Sequence, residues 1–224
     1  IKDTVQILHN SLENNKKILV EGAQGTMLDI DMGTYPYVTS SSAVSAGACT
    51  GTGIPPTQIN EVIGVLKAYT TRVGEGPFPS ELEDADGEKL RDIGGEYGAT
   101  TGRPRRCGWF DAVVARFSAQ VNGTTAWNLT KLDVLDHFSE IKMVVDYELN
   151  GEKLQSFPSD LKLLKQIKPV IITMKGWEKD TSACKTFSEL PEEAQGYIQK
   201  IEELSGVKCK YIGVGPSREQ IITA

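Results

Sequence analysis

The chain has 224 residues, of which 39% are hydrophobic and 24% are charged, a balance typical of one globular domain. Its 24 Lys and Arg side chains are outnumbered by 30 Asp and Glu, and no long basic run is present, so nucleic acid is disfavoured as a partner. The first residues do not read as a signal peptide, and no apolar run is long enough to span a bilayer. These features disfavour secretion and membrane insertion, and they favour the cytoplasm.

The amino-terminal part predicts a helix, a short strand and a long loop. Val5, Leu8 and Leu12 recur at helical spacing and predict an amphipathic helix. The apolar run at residues 17–21 predicts a buried strand. Residues 33–53 are rich in Gly, Ser, Thr and Ala, which is the composition of a loop.

The middle and carboxyl-terminal parts predict alternating helices and strands. Helices are expected at residues 55–66, 87–93, 110–121, 161–167 and 191–205. Strands are expected at residues 68–73, 126–129, 141–149, 153–157, 169–174 and 211–214. Asn150-Gly151 is a strong signal for a β-hairpin turn. We therefore predict a single α/β domain over residues 1–224, with a mixed, mostly parallel central sheet covered by helices and one antiparallel hairpin.

The rarer residue types do not indicate a metal centre or a catalytic acid or base. The four cysteines lack a Cys-x-x-Cys pair, which argues against a zinc site and a disulfide framework and indicates a reducing compartment. His9 and His137 receive no catalytic role. Asp29 and Asp31 are interpreted as loop hydrogen-bonding residues rather than metal ligands.

The turn from Gly98 to Arg106 combines hydroxyl groups, glycine and three arginines within nine residues. Guanidinium groups bind carboxylate or phosphate in a bidentate manner, and glycine frees backbone amides to face an anion. The turn is predicted to hold anionic substrates. The alternative is a solvated basic loop.

The segment Thr130-Lys131-Leu132-Asp133 follows a predicted strand. A carboxylate at this position can accept from the N1–H and the exocyclic amine of guanine, whereas adenine has an acceptor at the corresponding ring nitrogen. The Lys131 stem can lie along the base plane. A four-residue match is weak evidence by itself, and a solvated strand end is the alternative.

Two further turns follow predicted strands, where ligands bind in open α/β sheets. The first, residues 21–26, contains Gln24, which can both donate and accept; the alternative is that Gln24 bridges two loops. The second, residues 211–218, contains Gly213 and Gly215, where backbone can approach a flat ligand; the alternative is an ordinary turn.

Five segments taken together resemble adenylosuccinate synthetases: residues 21–31, 33–41, 71–74, 100–103 and 130–133, in order and with matching spacing. The resemblance runs from about Ile18 to Arg218. That family uses GTP and Mg²⁺ to join IMP to L-aspartate. It phosphorylates the 6-oxygen of IMP, and the aspartate amine then displaces phosphate to give adenylosuccinate.

The resemblance implies three sets of binding residues and no catalytic residue in this chain. The implied IMP contacts are Gln24, Thr39 and Arg103. The implied aspartate contacts are Thr100, Thr101, Gly102, Arg103 and Arg105. The implied GTP contacts are Arg105, Lys131, Leu132, Asp133, Gly213, Val214 and Gly215.

The chain also departs from the family pattern. The family's glycine-rich phosphate loop, general base, general acid and magnesium ligand belong to an amino-terminal half that this sequence does not contain. Gly213 and Pro104 replace a hydroxyl and a basic residue of some relatives. We therefore expect the carboxy-terminal half of a cytoplasmic, homodimeric ligase that is inactive alone. The alternative is a non-enzymatic guanine-nucleotide-binding switch, supported only by residues 130–133.

Overall fold

A computed structural model of the chain describes residues 2–98, 102–154 and 156–224. The α-helices are α1 Thr4–Glu13, α2 Ala46–Thr52, α3 Ala85–Ile93, α4 Ala112–Asn122, α5 Leu161–Leu164 and α6 Glu192–Ser205. The strands are β1 Ile63–Lys67, β2 Thr70–Arg72, β3 Arg106–Gly108, β4 Phe110–Asp111, β5 Ala126–Thr130, β6 Glu140–Leu149, β7 Glu152–Lys153, β8 Lys168–Lys175, β9 Cys209–Gly213 and β10 Ile221–Thr223. Within the described ranges, no helix is long and apolar enough to cross a membrane.

The central sheet has the strand order β1-β5-β9-β10. Strands β1, β5 and β9 are parallel, and β10 is antiparallel to β9. The Trp127 indole in β5 donates to the Ser205 hydroxyl of α6 over 2.9 Å, and the fully buried Leu129 belongs to the same core as α6 residues Ile198 and Ile201. The predicted mixed, mostly parallel sheet packed against helices is confirmed.

The remaining strands form a second four-stranded sheet and a two-stranded ribbon rather than extending the central sheet. Strand β6 pairs with β4 in parallel and with β7 and β8 in antiparallel. The turn between β6 and β7 places Asn150 at φ 54° and Gly151 at φ 88°, the left-handed values that a tight hairpin requires. The predicted hairpin is confirmed, although β7 is shorter than expected.

Helix ends follow the expected capping chemistry. The Asp111 carboxylate accepts from the backbone amides of Val113 and Val114 at the start of α4, and Gly123 ends this helix at φ 60°. Gly206 ends α6 in the same left-handed conformation. Helices α3, α4 and α6 therefore lie where the sequence predicted them.

Three predictions near the amino terminus were wrong. Residues 17–21 do not form a buried strand, since Leu19 is 90% exposed. Residues 55–66 contain one 3-10 turn and then β1, because β-branched side chains and pairing with β5 outweigh the helical spacing. Gly64 in this strand leaves room for the Trp127 ring, with which any Cβ would collide. The predicted loop at 33–53 contains α2.

Candidate functional site

The carboxyl ends of β1, β5 and β9 meet at one edge of the central sheet. Lys67 at the end of β1 lies opposite Thr130 at the end of β5. A Cβ built on Gly213, at the end of β9, would lie 3.5 Å from Thr130 Cα and 3.9 Å from Lys131 N. The two turns predicted to bind guanine are therefore neighbours at the edge where ligands bind in α/β sheets.

The chain turns sharply after β5. Lys131 has φ 61° and ψ 34°, and a 3-10 helix follows from Leu132 to His137. The Leu132 side chain is fully buried in the core, so only its backbone can face a ligand. Asp133 is half-buried, and burial raises the pKa of its carboxyl. A carboxylate that is partly withdrawn from water is suited to accept from the donors of a bound base.

The turn after β9 is stabilised from behind by Gln220. The Val214 side chain is fully buried, and its backbone amide donates to the Gln220 carbonyl over 2.9 Å. A Cβ at Gly215 would collide with the Gln220 side-chain amide. The glycine at 215 therefore makes room for Gln220, whereas Gly213 is the position that adjoins Lys131.

The carboxylate of Glu96 is the centre of the charged cluster at this edge. It is fully buried and accepts from Lys67 Nζ at 2.8 and 2.9 Å, from the Tyr69 hydroxyl at 2.5 Å and from Arg105 Nη1 at 2.6 Å. Lys131 Nζ lies 3.5 Å from Glu96 Oε1. We call Lys67, Glu96, Arg105 and Lys131 the Glu96 cluster.

The cluster carries more positive than negative charge. Burial would raise the pKa of Glu96, but hydrogen bonds from Lys67 and Tyr69 and the Lys67 charge outweigh it and lower the pKa to about 2. Burial lowers the pKa of Lys67, and the contacts with Glu96 oppose that shift. One ionised carboxylate facing three cations leaves an excess of positive charge that attracts phosphate or carboxylate groups.

The predicted anion-binding turn lies directly beside this cluster and is hydrogen-bonded to it. The Arg105 amide donates to the Glu96 carbonyl over 2.9 Å, and the Gly98 amide donates to the Arg103 carbonyl over 2.8 Å. Gly102 has φ 63°, a conformation that favours glycine. Arg103 lies at the exposed end of the turn. Two other predicted aspartate contacts, Thr100 and Thr101, lie outside the described residues.

Arg106 was wrongly grouped with the anion-binding arginines. Its guanidinium pairs with both carboxylate oxygens of Glu81 and donates to the carbonyls of Gly74 and Gly76. It also lies over the Phe78 ring. These contacts give Arg106 a structural role in holding the β2–β3 ribbon against the following loop.

The predicted IMP residues Gln24 and Thr39 lie on a separate segment from the Glu96 cluster. Gln24 is exposed and has φ 62°, and the Thr39 amide donates to the Leu28 carbonyl over 2.8 Å. Arg72 of β2 holds this segment by donating to the Thr34 hydroxyl and the Tyr37 carbonyl, each over 3.0 Å. The β2–β3 ribbon therefore links the segment to the strand that follows Arg105.

Asp29 organises the interior of the same segment. Its carboxylate is buried and accepts from the amides of Asp31 and Met32, each over 2.9 Å, and of Val44 over 3.0 Å. Burial would raise the pKa of Asp29, but these amides outweigh it and lower the pKa. The interpretation of Asp29 as a loop hydrogen-bonding residue is confirmed.

Lys67, Tyr69 and Glu96 were missed in the sequence. Lys67 and Glu96 are separated by 29 positions and meet only because β1 ends beside the base of the turn. Only their positions in the chain could have indicated a role in the site. Lys67 ends a strand at the carboxyl edge of the sheet, and Glu96 precedes the glycine-rich turn.

An α/β sheet with a cationic cluster at the carboxyl ends of its parallel strands defines a class of proteins that bind anionic, nucleotide-like ligands. Comparison with known proteins narrows this class. The family model of adenylosuccinate synthetase matches residues 1–222, and the chain belongs to this family.

Two relatives share more than half of their aligned residues with this chain. It is 56% identical over 222 residues to the adenylosuccinate synthetase of Geotalea daltonii and 57% identical over 222 residues to that of Paramecium tetraurelia. Each alignment covers 99% of this chain and 52% of the relative. The fully ligated adenylosuccinate synthetase from Plasmodium falciparum superposes with a TM-score of 0.98 at 45% identity, covering 100% of this chain and 54% of that one. The chain thus spans about half the length of the relatives it matches.

Proposed function

We propose that this chain is the carboxy-terminal part of a GTP-dependent ligase that joins IMP and L-aspartate to give adenylosuccinate, GDP and phosphate. The chain supplies contacts to IMP, to aspartate and to the guanine of GTP. The observation that carries this proposal is the Glu96 cluster, which joins Arg105 of the anion-binding turn to Lys131 of the guanine-binding turn.

Guanine recognition is proposed for the edge formed by β5 and β9. The Asp133 carboxylate accepts from N1–H and the exocyclic amine, while the Lys131 stem and the Gly213 backbone flank the base. The backbone of Leu132 and of residues 214–215 completes the pocket, since the Leu132 and Val214 side chains are buried. Adenine would place an acceptor against the carboxylate and is disfavoured.

Aspartate is proposed to bind at the turn of residues 100–105. Arg103 and Arg105 provide guanidinium groups for its carboxylates, and Gly102 provides exposed backbone next to them. Thr100 and Thr101 complete the proposed contacts. Arg105 is proposed to face the phosphates of GTP as well, which is supported by its sharing the Glu96 carboxylate with Lys131 of the guanine-binding turn.

IMP is proposed to bind between the segment of Gln24 and Thr39 and the turn of Arg103. Arg103 would then contact both IMP and aspartate, the two groups that the reaction joins. The segment is held to β2 by Arg72 and to α4 by Asn122, which donates to the Thr26 hydroxyl over 2.9 Å. These anchors give Gln24 and Thr39 a fixed support.

The proton transfers and magnesium binding are assigned to residues outside this chain. In the described ranges, no group of three or more His, Cys, Asp or Glu is placed to hold a metal ion. Mg²⁺ supplies charge neutralisation at the phosphates when it is bound. We further propose a cytoplasmic homodimer, and we expect this chain alone to form no adenylosuccinate.

The proposal is tested with the intact protein containing this chain, supplied with IMP, GTP, aspartate and Mg²⁺. Adenylosuccinate is the expected product. Asp133→Asn should shift preference from GTP toward xanthosine triphosphate by roughly tenfold or more, because an amide donor faces the guanine amine while xanthine offers an oxygen there. Asp160→Asn is the matched control, since asparagine still caps α5 and the site is untouched.

Two outcomes contradict the proposal. If the wild-type protein forms no adenylosuccinate but binds GTP tightly without IMP and aspartate, a non-enzymatic guanine-nucleotide switch replaces the ligase. If Asp133→Asn uses GTP and xanthosine triphosphate as the wild type does, Asp133 does not read the base.

A further inference from the structure

Glu96 contacts both proposed binding turns through different atoms. Oε2 accepts from Arg105 Nη1 at 2.6 Å, and Oε1 lies 3.5 Å from Lys131 Nζ. The backbone carbonyl of the same residue accepts from the Arg105 amide over 2.9 Å. A movement of this residue would therefore change the position of both cations.

The segment before the turn also holds Lys131 by a second contact. Lys131 Nζ donates to the Gly94 carbonyl, two residues before Glu96. A Cβ at Gly94 would collide with the Tyr69 hydroxyl, so the backbone at Gly94 is packed directly against the residues that surround Glu96. The segment from Gly94 to Glu96 thus lies between the end of β5 and the start of the anion-binding turn.

The arrangement provides more than burial of an ion pair. Lys67 alone would satisfy the charge of Glu96, since its amine lies within 2.9 Å of both carboxylate oxygens. Arg105 and Lys131 are additional cations with side chains 30% and 37% exposed, so each can reach a ligand while it is held by Glu96. Such a shared counter-charge restricts both side chains before substrates arrive, which reduces the entropy lost on binding.

We propose that Glu96 is a positioning residue that holds Arg105 and Lys131 in one geometry, so that it governs the binding of both aspartate and GTP. This inference rests on the proposed function and extends it. Glu96 itself touches no substrate. Its effect is transmitted through the two cations, one on each turn.

The test is steady-state kinetics of the intact protein carrying Glu96→Gln. The neutral amide is isosteric but loses the charge that orients both cations, so the KM values for aspartate and for GTP should each rise roughly tenfold. The KM for IMP should change by less than about twofold, because two of its three proposed contacts, Gln24 and Thr39, lie on a separate segment and the proposal does not hold Arg103 through Glu96. Glu96→Asp keeps the charge on a shorter side chain and should give KM values between those of the wild type and of Glu96→Gln.

Tyr147→Phe is the matched structural control. It removes another 2.5 Å hydrogen bond from a buried tyrosine to a buried carboxylate, Asp111, outside the Glu96 cluster. This variant should leave all three KM values within about twofold of the wild type. A loss of binding caused only by lower stability would appear in both variants.

A double-mutant cycle with Lys131→Ala tests the coupling itself. Once Lys131 is absent, Glu96→Gln should raise the KM for GTP by less than it does alone, while the rise for aspartate persists. Full additivity for GTP would show that Glu96 does not act through Lys131 and would overturn the inference.

The outcomes separate this inference from the proposed function. If the wild type forms adenylosuccinate but Glu96→Gln leaves the aspartate and GTP KM values within about twofold, the inference fails and the function stands. If the wild type forms no adenylosuccinate, both fail. Should Glu96→Gln not fold, Glu96→Asp decides, because unchanged KM values in that variant also overturn the inference.

Discussion

Two buried carboxylates in this chain have the same kind of nearest donor, a tyrosine hydroxyl, but their pKa values are shifted in opposite directions. Glu96 and Asp111 each accept from a tyrosine hydroxyl at 2.5 Å, from Tyr69 and Tyr147 respectively. Both are almost inaccessible to solvent, at 0% and 3%. The pKa of Glu96 is lowered to about 2, whereas burial raises the pKa of Asp111 to about 6.

The difference lies in the other neighbours. Glu96 also faces the amine of Lys67 and the guanidinium of Arg105, and these cations favour its charged form. Burial is the largest influence on the pKa of Asp111. The hydrogen bonds from Tyr147 and from two backbone amides at the start of α4, together with the charge of Arg116, only partly offset it. Burial alone therefore does not distinguish the carboxylate of the Glu96 cluster from one that caps a helix, and the cations around Glu96 do.

The largest expected effect is the loss of the Glu96 charge. Glu96→Gln should lower the free energy of unfolding by roughly 3–5 kcal/mol at pH 7, because it leaves Lys67 and Arg105 without their shared counter-ion. Urea denaturation measures this change. Asp111→Asn is the matched comparison and should cost far less, since asparagine also caps helices. Equal losses of unfolding free energy in the two variants would contradict the electrostatic difference between Glu96 and Asp111.

The next effect is a stability change between pH 4 and pH 7 that originates from Asp111. Its folded pKa of about 6 exceeds the ordinary 3.8, so the folded state keeps a proton that the unfolded state has lost. Stability should fall as pH rises through this window, by up to about 3 kcal/mol. Asp111→Asn should flatten this part of the profile. A wild-type slope that persists in the variant assigns the titration to another group.

Glu96 should dominate the acid limb in the opposite sense. Its folded pKa lies below the ordinary 4.5, so its contribution is present above pH 4.5 and is lost as pH falls toward about 2. The contribution is on the order of 3 kcal/mol. The acid limb of Glu96→Gln should be shallower than that of the wild type in denaturation series at successive pH values. Acid limbs of equal slope in the wild type and in Glu96→Gln would contradict the lowered pKa of Glu96.

The smallest effects come from the two tyrosines. Tyr147→Phe should cost about 2 kcal/mol, because it removes the only side-chain donor described for Asp111. Tyr69→Phe should cost about 1 kcal/mol, since Glu96 retains Lys67 and Arg105. Thermal or urea unfolding of both variants ranks the two. The reverse order would mean that the cations do not satisfy Glu96.

Sequence patterns predicted the structural elements whose conformation is determined by residues close together in the chain. Asn150-Gly151 defined the hairpin through its turn conformation, and Gly206 defined the end of α6. The strand at residues 63–67 was not predicted, because its pairing with β5 is a long-range contact and its apolar spacing also fits a helix. Helix α2 within residues 33–53 was not predicted either, because a segment rich in small residues has the composition of a loop.

The candidate site could be predicted only in part for the same reason. Lys131, Asp133 and Arg105 stand in recognisable turns, and the resemblance to the family assigned them ligands. Glu96 and Lys67 belong to no short motif, and their role arises from the meeting of a strand end with the base of a turn. Arg106 is the opposite case, because it belongs to the predicted anion-binding turn but its guanidinium pairs with Glu81.

The most direct test of the contrast between the two carboxylates is a carbon-13 NMR titration of the carboxyl groups of Glu96 and Asp111 in one sample. Glu96→Gln and Asp111→Asn assign the two resonances. We predict that Glu96 remains ionised at pH 4 while Asp111 titrates near pH 6. Protonation of Glu96 at or above pH 4 would contradict the electrostatic role given to the Glu96 cluster, and ionisation of Asp111 near its ordinary value would contradict the contrast between the two carboxylates.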